Sequence, residues 1–342
     1  MKKVSLLTVS RLRRLAPLAL TVALGSVAVP AAQADTTLTN ASFDVARELF
    51  AALNKPFIAE WDKQHQDHLV IKQTHAGSST QARSIIQGLN ADVVTFNQTS
   101  DIDVIAHAGL IDSNWQQRLP EHSSPFYSTM AFLVRKGNPK HLTTWQDLAE
   151  PGVELVFPNP KTSGNGRYTY LGAWASQSAL NHNDEANTEA FMRRFLANAV
   201  VLDSGGRGAT TSFIERGQGD ALITFESEAR SLAKQYGDKY EVVVPKVDVI
   251  AEMPVAWVDA NVRKNNSEAL AKAYLNYLYT PQSQTIIADH FYRVRNEQVA
   301  KQIAGRFPDT HLLNISDVFG SWDSILSTHF ASGGKLDQLQ RQ

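Results

Sequence analysis

Cysteine is absent from this 342-residue sequence, and methionine is scarce. The lack of thiols excludes disulfide bonds, thiolate metal sites and cysteine nucleophiles together. After the first residue, methionine occurs at only three positions, Met130, Met192 and Met253. Selection for low sulfur content in a protein made when sulfur is scarce would explain this composition, and so would simple drift.

The sequence also lacks the motifs of the common enzyme classes. It contains neither a Gly-x-x-x-x-Gly-Lys-Ser/Thr phosphate loop nor a Gly-x-Ser-x-Gly nucleophile elbow. No His or Asp can be paired with a serine from its spacing, and His65 and His68 form half a metal site without a third ligand nearby. We therefore predict a protein that is not an enzyme and that uses no metal and no cofactor.

The N-terminal segment has the order of a secretory signal peptide. A basic stretch precedes an apolar run from Leu15 to Val29, which is shorter than the ~20 residues that a membrane-spanning helix needs. Ala32-Gln33-Ala34 then supplies a cleavage site of the small-x-small type. We predict that residues 1–34 are a signal peptide cleaved after Ala34.

Cleavage would also change the charge balance. Residues 1–34 contain five basic and no acidic residues, so the mature chain keeps 28 Lys and Arg against 34 Asp and Glu, a net charge of about −6. Because of this negative net charge, the mature chain is a poor partner for nucleic acid or for an anionic membrane. If the protein binds an anion, local dipoles and not a basic surface must hold it.

Short apolar segments alternate with amphipathic ones along the chain. Segments such as Leu69–Thr74 and Ala221–Phe225 have the length of strands, and the apolar residues between such segments recur at helical spacing. This alternation predicts the α/β class, with a parallel or mixed sheet wrapped by helices. Two extended segments, Thr129–Lys136 and Val242–Trp257, are predicted to cross between two domains, because the sequence contains no flexible linker.

Three turns rich in glycine and serine each follow a strand-like run and precede a helical pattern. They contain Gly77-Ser78-Ser79, Ser163-Gly164-Asn165 and Ser204-Gly205-Gly206. Such a turn presents bare backbone N–H groups, together with serine hydroxyls, at the positive end of a helix dipole. A single turn of this kind is weak evidence, because most are structural, but three in one chain predict an oxyanion site.

The chain resembles the periplasmic sulfate- and thiosulfate-binding proteins of bacterial ABC importers, in these turns and in several other segments. The further segments are Ser123–Thr129, Phe132–Lys140, Glu215–Gly217 and Val318–Trp322. The resemblance therefore covers nearly all of the mature chain. The segments that are similar to the thiosulfate-binding branch are His75–Ser79, Lys161–Asn165, Gly205–Thr211 and Phe225–Ser227.

This resemblance implies a two-lobed type II periplasmic binding-protein fold with the ligand in the cleft between the lobes. Lobe I would contain residues 35–120 and 247–300, and lobe II residues 121–246 and 301–342. The protein would be a periplasmic monomer that captures thiosulfate or sulfate. It would deliver the anion to the membrane permease subunits of an ABC importer for sulfur assimilation.

The resemblance also implies the site residues. The family's anion contacts fall on Asp44 (through its backbone N–H), Ser78, Ser163, Gly164, Asn165, Gly206 and Phe225. Neutral donors can hold a dianion through charge-assisted hydrogen bonds, and they reject monohydrogen phosphate, whose proton would meet no acceptor. Arg207 either ligates the anion or, as we expect, holds its turn by bonding a carboxylate. His75 is expected to pack against its turn.

Two of these positions differ from the sulfate-binding branch, which has Gly in place of Asn165 and Trp in place of Phe225. A phenyl ring lacks the indole N–H and leaves more room, which suits the larger and softer sulfur of thiosulfate. The alternatives are a strict sulfate-binding protein, a binder of another solute such as molybdate or Fe³⁺ with carbonate, and a structural secreted protein. The paired tyrosines of a ferric site are not evident near the turns.

Overall fold

The computed structural model describes residues 36–341, so the predicted signal peptide and its cleavage site lie outside the described residues. The strands are β1 (Thr36–Phe43), β2 (Leu69–Ala76), β3 (Val93–Thr95), β4 (Phe126–Ser128), β5 (Met130–Arg135), β6 (Leu155–Pro158), β7 (Ala199–Asp203), β8 (Ala221–Phe225), β9 (Tyr240–Val243), β10 (Val247–Val249), β11 (Ala251–Glu252), β12 (Val255–Trp257), β13 (Arg293–Val294) and β14 (His311–Leu313).

The helices lie between these strands and continue to the C-terminus. They are α1 (Arg47–His65), α2 (Ser78–Ile86), α3 (Thr99–His107), α4 (Pro120–Ser123), α5 (Gly164–Leu180), α6 (Glu185–Ala197), α7 (Gly206–Ile214), α8 (Glu226–Tyr236), α9 (Asp259–Asn265), α10 (Glu268–Tyr277), α11 (Pro281–Asp289), α12 (Glu297–Ile303), α13 (Ile315–Phe319), α14 (Trp322–Ile325) and α15 (Lys335–Gln340). No helix within residues 36–341 is both long enough and apolar enough to cross a membrane.

Two mixed sheets organise the chain, as the alternation of segments predicted. The first sheet has the order β12-β3-β1-β2, with β1 parallel to both neighbours and β12 antiparallel to β3. The second sheet has the order β7-β6-β8-β5-β9, with β6 parallel to β7 and β8, and β5 antiparallel to β8 and β9. The α/β prediction is confirmed, whereas the residue boundaries of the two lobes stay a prediction.

The segments that connect the two sheets lie side by side, and a buried carboxylate joins them. Asp248, the middle residue of β10, accepts hydrogen bonds from the backbone N–H groups of Met130 (3.0 Å) and Val249 (2.8 Å). Thr129 Oγ1 donates to the carbonyl of Val249 at 3.0 Å. Because buried polar groups must be paired, these bonds fix where the two connections meet. Burial raises the pKa of Asp248 well above its usual value.

Several elements differ in detail from the sequence pattern. The central strand β1 was not predicted, because its sequence, Thr-Thr-Leu-Thr-Asn-Ala-Ser-Phe, is mostly polar. Two of its polar side chains are nevertheless fully buried and paired: Asn40 Oδ1 accepts from Thr95, and Ser42 Oγ bonds His75. Helix α2 ends at Ile86, so Leu89, which we expected on its apolar stripe, lies beyond it.

The C-terminal segment packs against helices of the second sheet. Lys335, the first residue of α15, forms an ion pair with Glu185 of α6 at 2.6 Å. Tyr170 of α5 bonds His329 Nδ1 at 3.0 Å, inside a group of aromatic rings. Burial lowers the pKa of His329 to about 4, so this histidine is neutral at physiological pH.

Candidate anion-binding site

All three glycine- and serine-rich turns have the predicted order of strand, turn and helix. Helix α2 begins at Ser78 after β2, α5 begins at Gly164 after β6, and α7 begins at Gly206 after β7. The residue that precedes each of these helices makes no side-chain hydrogen bond to the first turn. The preceding residue therefore consumes none of their N-terminal N–H groups through its side chain, although Asp44 accepts from the N–H of Arg207 in the first turn of α7.

The turn after β2 and the turn after β6 meet at Asn97. Ser78 Oγ donates to Asn97 Oδ1 at 2.6 Å and accepts from the Asn97 backbone N–H at 3.2 Å. A methyl group placed on Gly164 would overlap the same Asn97 oxygen, so only glycine fits there. Ser78 is 0% and Ser163 2% exposed. Ser78, which follows the first sheet, and Gly164, which follows the second, thus lie against the same buried side chain, that of Asn97.

The turn after β7 meets Asp44 and Asn165. A methyl group placed on Gly206 would lie 3.0 Å from Val45 Cγ1, 3.4 Å from Asn165 Nδ2 and 3.6 Å from Asp44 Oδ1. Asp44 follows β1 and begins a single turn of 3-10 helix, Asp44–Ala46. Residues that follow strands of both sheets therefore approach Gly206, although less closely than Asn97 approaches Gly164.

The Asp44 carboxylate has a role that the sequence did not indicate. It accepts from its neighbour Val45 N at 3.0 Å and from Arg207 N, in the first turn of α7, also at 3.0 Å. A carboxylate that accepts from the first turn of a helix is a favourable partner for the helix dipole. Asp44 thus caps α7 from the opposite sheet.

Phe225 ends β8 and is fully buried. Its ring packs edge-on against Phe43, with centroids 6.4 Å apart, and against Tyr168, with centroids 6.1 Å apart. We call Phe43, Tyr168 and Phe225 the aromatic wall. The sequence predicted Phe225 as a contact, but it did not point to Phe43, which is the last residue of the unpredicted strand β1.

Arg207 forms hydrogen bonds to a residue of α1, and His75 forms one to a residue of β1. Arg207 Nη2 donates to both carboxylate oxygens of Glu48, each at 3.0 Å, so it joins α7 to α1. His75 Nδ1 lies 2.6 Å from Ser42 Oγ. Partial burial lowers the pKa of His75, and nearby Arg47 lowers it further. In this structure, both side chains are engaged with protein groups.

A second ion pair, which the sequence did not reveal, joins α5 to α3. Arg167 Nη1 donates to Asp101 Oδ1 and to Gln98 Oε1, each at 3.2 Å. Asp101 also accepts from Ser79 Oγ at 2.9 Å, and its burial raises its pKa. Asn97 and Gln98 follow the strand-like run that ends at Phe96, so they form a fourth turn of the same kind, without glycine.

One further carboxylate lies behind the turn after β7. Glu228, in the first turn of α8, is buried and accepts from Thr210 Oγ1 at 3.3 Å. Its burial raises its pKa to about 7, although the positive charge of Arg207 opposes the shift. Among residues 36–341, no group of three His, Asp or Glu side chains is arranged to hold a metal ion.

Comparison with known proteins places the chain among solute-binding proteins. The profile described as bacterial extracellular solute-binding protein matches residues 43–293. The chain is 57% identical over 307 residues to the thiosulfate-binding protein of Escherichia coli K12, covering 89% of this chain and 91% of the relative. It is 47% identical over 309 residues to the sulfate-binding protein of Salmonella typhimurium LT2, covering 90% and 94%.

A solved structure agrees with these sequence relatives. The sulfate-binding protein SubI from Mycobacterium tuberculosis H37Rv superposes with a TM-score of 0.76 at 29% identity, covering 86% of this chain and 99% of that one. The agreement extends over both sheets, since the aligned part includes most of residues 36–341.

Proposed function

The chain belongs to the family of bacterial extracellular solute-binding proteins, and we propose that it binds thiosulfate and sulfate and delivers them to an ABC importer. It would act in the periplasm as a monomer, after removal of residues 1–34, and would pass the anion to membrane permease subunits for sulfur assimilation. The two sequence relatives described above are named for binding thiosulfate or sulfate, and no catalytic step is part of this proposal.

We propose that the anion lies where the turns after β2, β6 and β7 meet. Its partners would be the backbone N–H of Asp44, the side chain of Phe225, and groups of Ser78, Ser163, Gly164, Asn165 and Gly206. The observation that carries this proposal is the convergence on buried, neutral residues of three helix N-termini, none of which is capped by the side chain of its preceding residue. Such N-termini are general sites for anions.

Neutral donors suffice for a dianion in this setting. A hydrogen bond to a charged group contributes about 1.5–3 kcal/mol, and several such bonds replace the water that the anion loses. The nearby arginines, Arg167 and Arg207, are already paired with Asp101 and Glu48. We therefore assign the anion's charge to the helix dipoles and to the hydroxyl and amide donors.

The aromatic wall favours thiosulfate over an anion that carries only oxygen. A sulfur atom accepts hydrogen bonds poorly, and it packs well against the edge of an aromatic ring. Phe225 offers no N–H to an oxygen, and its ring is held between Phe43 and Tyr168. We propose that the terminal sulfur of thiosulfate faces this wall, while its three oxygens face the donors.

Calorimetric titration of the purified protein with thiosulfate, sulfate and phosphate tests the proposal. We expect one anion per protein molecule, binding of thiosulfate and sulfate that a chelator does not reduce, and much weaker binding of phosphate. Equal affinity for phosphate and sulfate at neutral pH, or loss of binding after chelation, would contradict it.

A further inference from the structure

The side chain of Asn165 is nearly fully buried, at 2% exposure, yet only one end of its amide is paired. Its Nδ2 donates to Thr224 Oγ1 at 2.9 Å. Its Oδ1 is buried and has no hydrogen-bond partner within residues 36–341. Thr224 precedes Phe225 at the end of β8, and it is itself 1% exposed.

The amide lies between the N-termini of two helices that belong to the candidate site. Asn165 is the second residue of α5, and its Nδ2 would lie 3.4 Å from a methyl group placed on Gly206, the first residue of α7. The atom near Gly206 is the one that bonds Thr224, and the unpaired oxygen of the same amide is buried beside it, so the amide as a whole lies in the region of the turns that we assign to the anion.

A hydroxyl group can both donate and accept, so Thr224 can pair with either end of the amide. In one orientation, Nδ2 donates to Thr224 and the carbonyl oxygen is left unpaired. In the other, which a half-turn of the amide produces, Thr224 donates to Oδ1 and Nδ2 takes the unpaired position. A dianion is repelled by the first arrangement and satisfies the free donor of the second.

We propose that Thr224 is a positioning residue of the anion site, which donates to Asn165 Oδ1 and thereby turns Nδ2 toward the bound anion. This inference rests on the proposed function, because it adds one donor to that same site. It also assigns a selectivity role to a residue that does not touch the anion. With the amide so held, the site offers donors only, and a protonated oxyanion finds no acceptor.

The test compares Thr224→Val, which removes the hydroxyl at nearly constant volume, with Thr224→Ser, which keeps it. Loss of the ordered donor should weaken thiosulfate binding by about 10-fold or more, the scale of one charge-assisted hydrogen bond. Thr224→Ser should restore affinity to within about 3-fold of the parent. Because an unheld amide can also present its carbonyl oxygen, Thr224→Val should weaken phosphate binding less than thiosulfate binding.

A double-mutant cycle separates this role from a structural one. In an Asn165→Gly background there is no amide to orient, so Thr224→Val should change thiosulfate affinity by less than about 3-fold. An equal loss in both backgrounds, or no loss in the parent background, would overturn the inference. If Thr224→Val does not yield a folded protein, Thr224→Ala enters the same cycle with the same expectations. A parent protein that does not bind thiosulfate at all would instead refute the proposed function.

Discussion

The residues at the centre of the candidate site are mostly neutral, whereas the residues that flank it are charged and paired. At the centre, Ser163 offers a hydroxyl, and Ser78, Gly164 and Gly206 offer backbone N–H groups at helix N-termini. The Asp44 carboxylate lies beside this centre, and backbone donors already occupy it. The centre thus gains its positive potential from dipoles and not from free cations.

The two flanking ion pairs have the same chemistry but different surroundings. Arg167 and Asp101 are 10% and 6% exposed, whereas Arg207 and Glu48 are 45% and 62% exposed. Each pair joins a helix packed on the first sheet to a helix packed on the second. A buried ion is costly when its partner is lost, whereas water compensates an exposed one. Burial, and not the bond length, should therefore decide how much each pair matters.

The largest effect is expected from Arg167→Met. The substitution leaves the Asp101 carboxylate buried without its cation, so we expect the free energy of unfolding to fall by about 3–5 kcal/mol. Urea denaturation of parent and variant measures this loss. The double variant Arg167→Met with Asp101→Leu is the control, because it removes both charges and should recover part of the stability. A single variant within about 1 kcal/mol of the parent would show that the pair is not buried in solution.

The second prediction concerns Glu228, whose folded-state pKa of about 7 lies above its usual value of 4.5. The folded protein therefore holds this proton more tightly than the unfolded chain does. The contribution of this bound proton to the free energy of unfolding is complete below pH 4.5 and is lost as the pH rises through 7. By linkage, the loss amounts to about 3 kcal/mol for this group alone.

Glu228→Gln keeps the shape of the side chain and cannot ionise. We expect the free energy of unfolding of the variant to exceed that of the parent at pH 8, and to be similar at pH 5. Denaturation curves of parent and variant at both pH values measure these free energies of unfolding. If parent and variant change in parallel between pH 5 and pH 8, the buried carboxylate does not titrate in this range.

The contrast between centre and flanks also separates what the sequence could predict from what it could not. Serine and glycine beside a strand-like run form a local pattern, and it located the turns of Ser78, Gly164 and Gly206 correctly. The ion pairs join residues far apart in the chain, 66 positions for Arg167 and Asp101 and 159 for Arg207 and Glu48. No local pattern encodes such pairs, because they exist only once the two sheets meet.

The missed strand β1 shows the same limit for the fold. A half-buried strand is recognised by alternating apolar and polar residues, but β1 lies between two other strands and buries polar side chains as well. The buried side chains of Asn40 and Ser42 are tolerated there because they form hydrogen bonds with Thr95 of β3 and His75 of β2. The sequence of β1 alone does not show that these hydrogen-bond partners exist, because they lie on other strands. For the same reason Phe43, which ends β1, was not assigned to the aromatic wall.

The third prediction returns to the neutral centre, through Ser163→Ala and Ser78→Ala. Ser163→Ala removes one donor to a charged ligand, so thiosulfate affinity should fall by about 1.5–3 kcal/mol, roughly 10- to 150-fold. Ser78→Ala should change thiosulfate affinity less, because the Ser78 hydroxyl already donates its proton to Asn97 and the backbone N–H of residue 78 remains. Ser78 bonds the side-chain oxygen and the backbone N–H of Asn97, so its loss should cost about 1 kcal/mol of folding free energy, whereas Ser163→Ala should cost less.

Titration calorimetry and thermal melting of both variants provide these two measurements. The decisive comparison is with Arg167→Met, which should lose far more stability than either serine variant. Unchanged thiosulfate affinity in Ser163→Ala would show that the anion does not contact this hydroxyl.

A smaller effect is expected from Phe225→Trp, which changes the aromatic wall. The indole adds an N–H donor, which favours an anion with four oxygens over one with a protruding sulfur. The affinity ratio of sulfate to thiosulfate should rise by about 1 kcal/mol, the net contribution of one hydrogen bond. The larger ring must fit beside Asn165, so Phe225→Trp combined with Asn165→Gly should raise the ratio further. An unchanged ratio in folded single and double variants would remove Phe225 from the site.

The smallest effect is expected from Arg207→Gln, the counterpart of Arg167→Met on the exposed flank. Water solvates Glu48 once its partner is gone, so the free energy of unfolding should fall by only about 0.2–1 kcal/mol. The Asp44 cap on α7 should persist, because Asp44 accepts from the backbone of residue 207 and not from its side chain. Thiosulfate affinity should therefore change less than in Ser163→Ala. Added salt should weaken the parent's pair and shrink the difference between parent and variant, since salt screens exposed charges. A loss as large as that of Arg167→Met would mean that Arg207 is desolvated in the closed protein or ligates the anion itself, and a thiosulfate titration of the same variant separates these two causes.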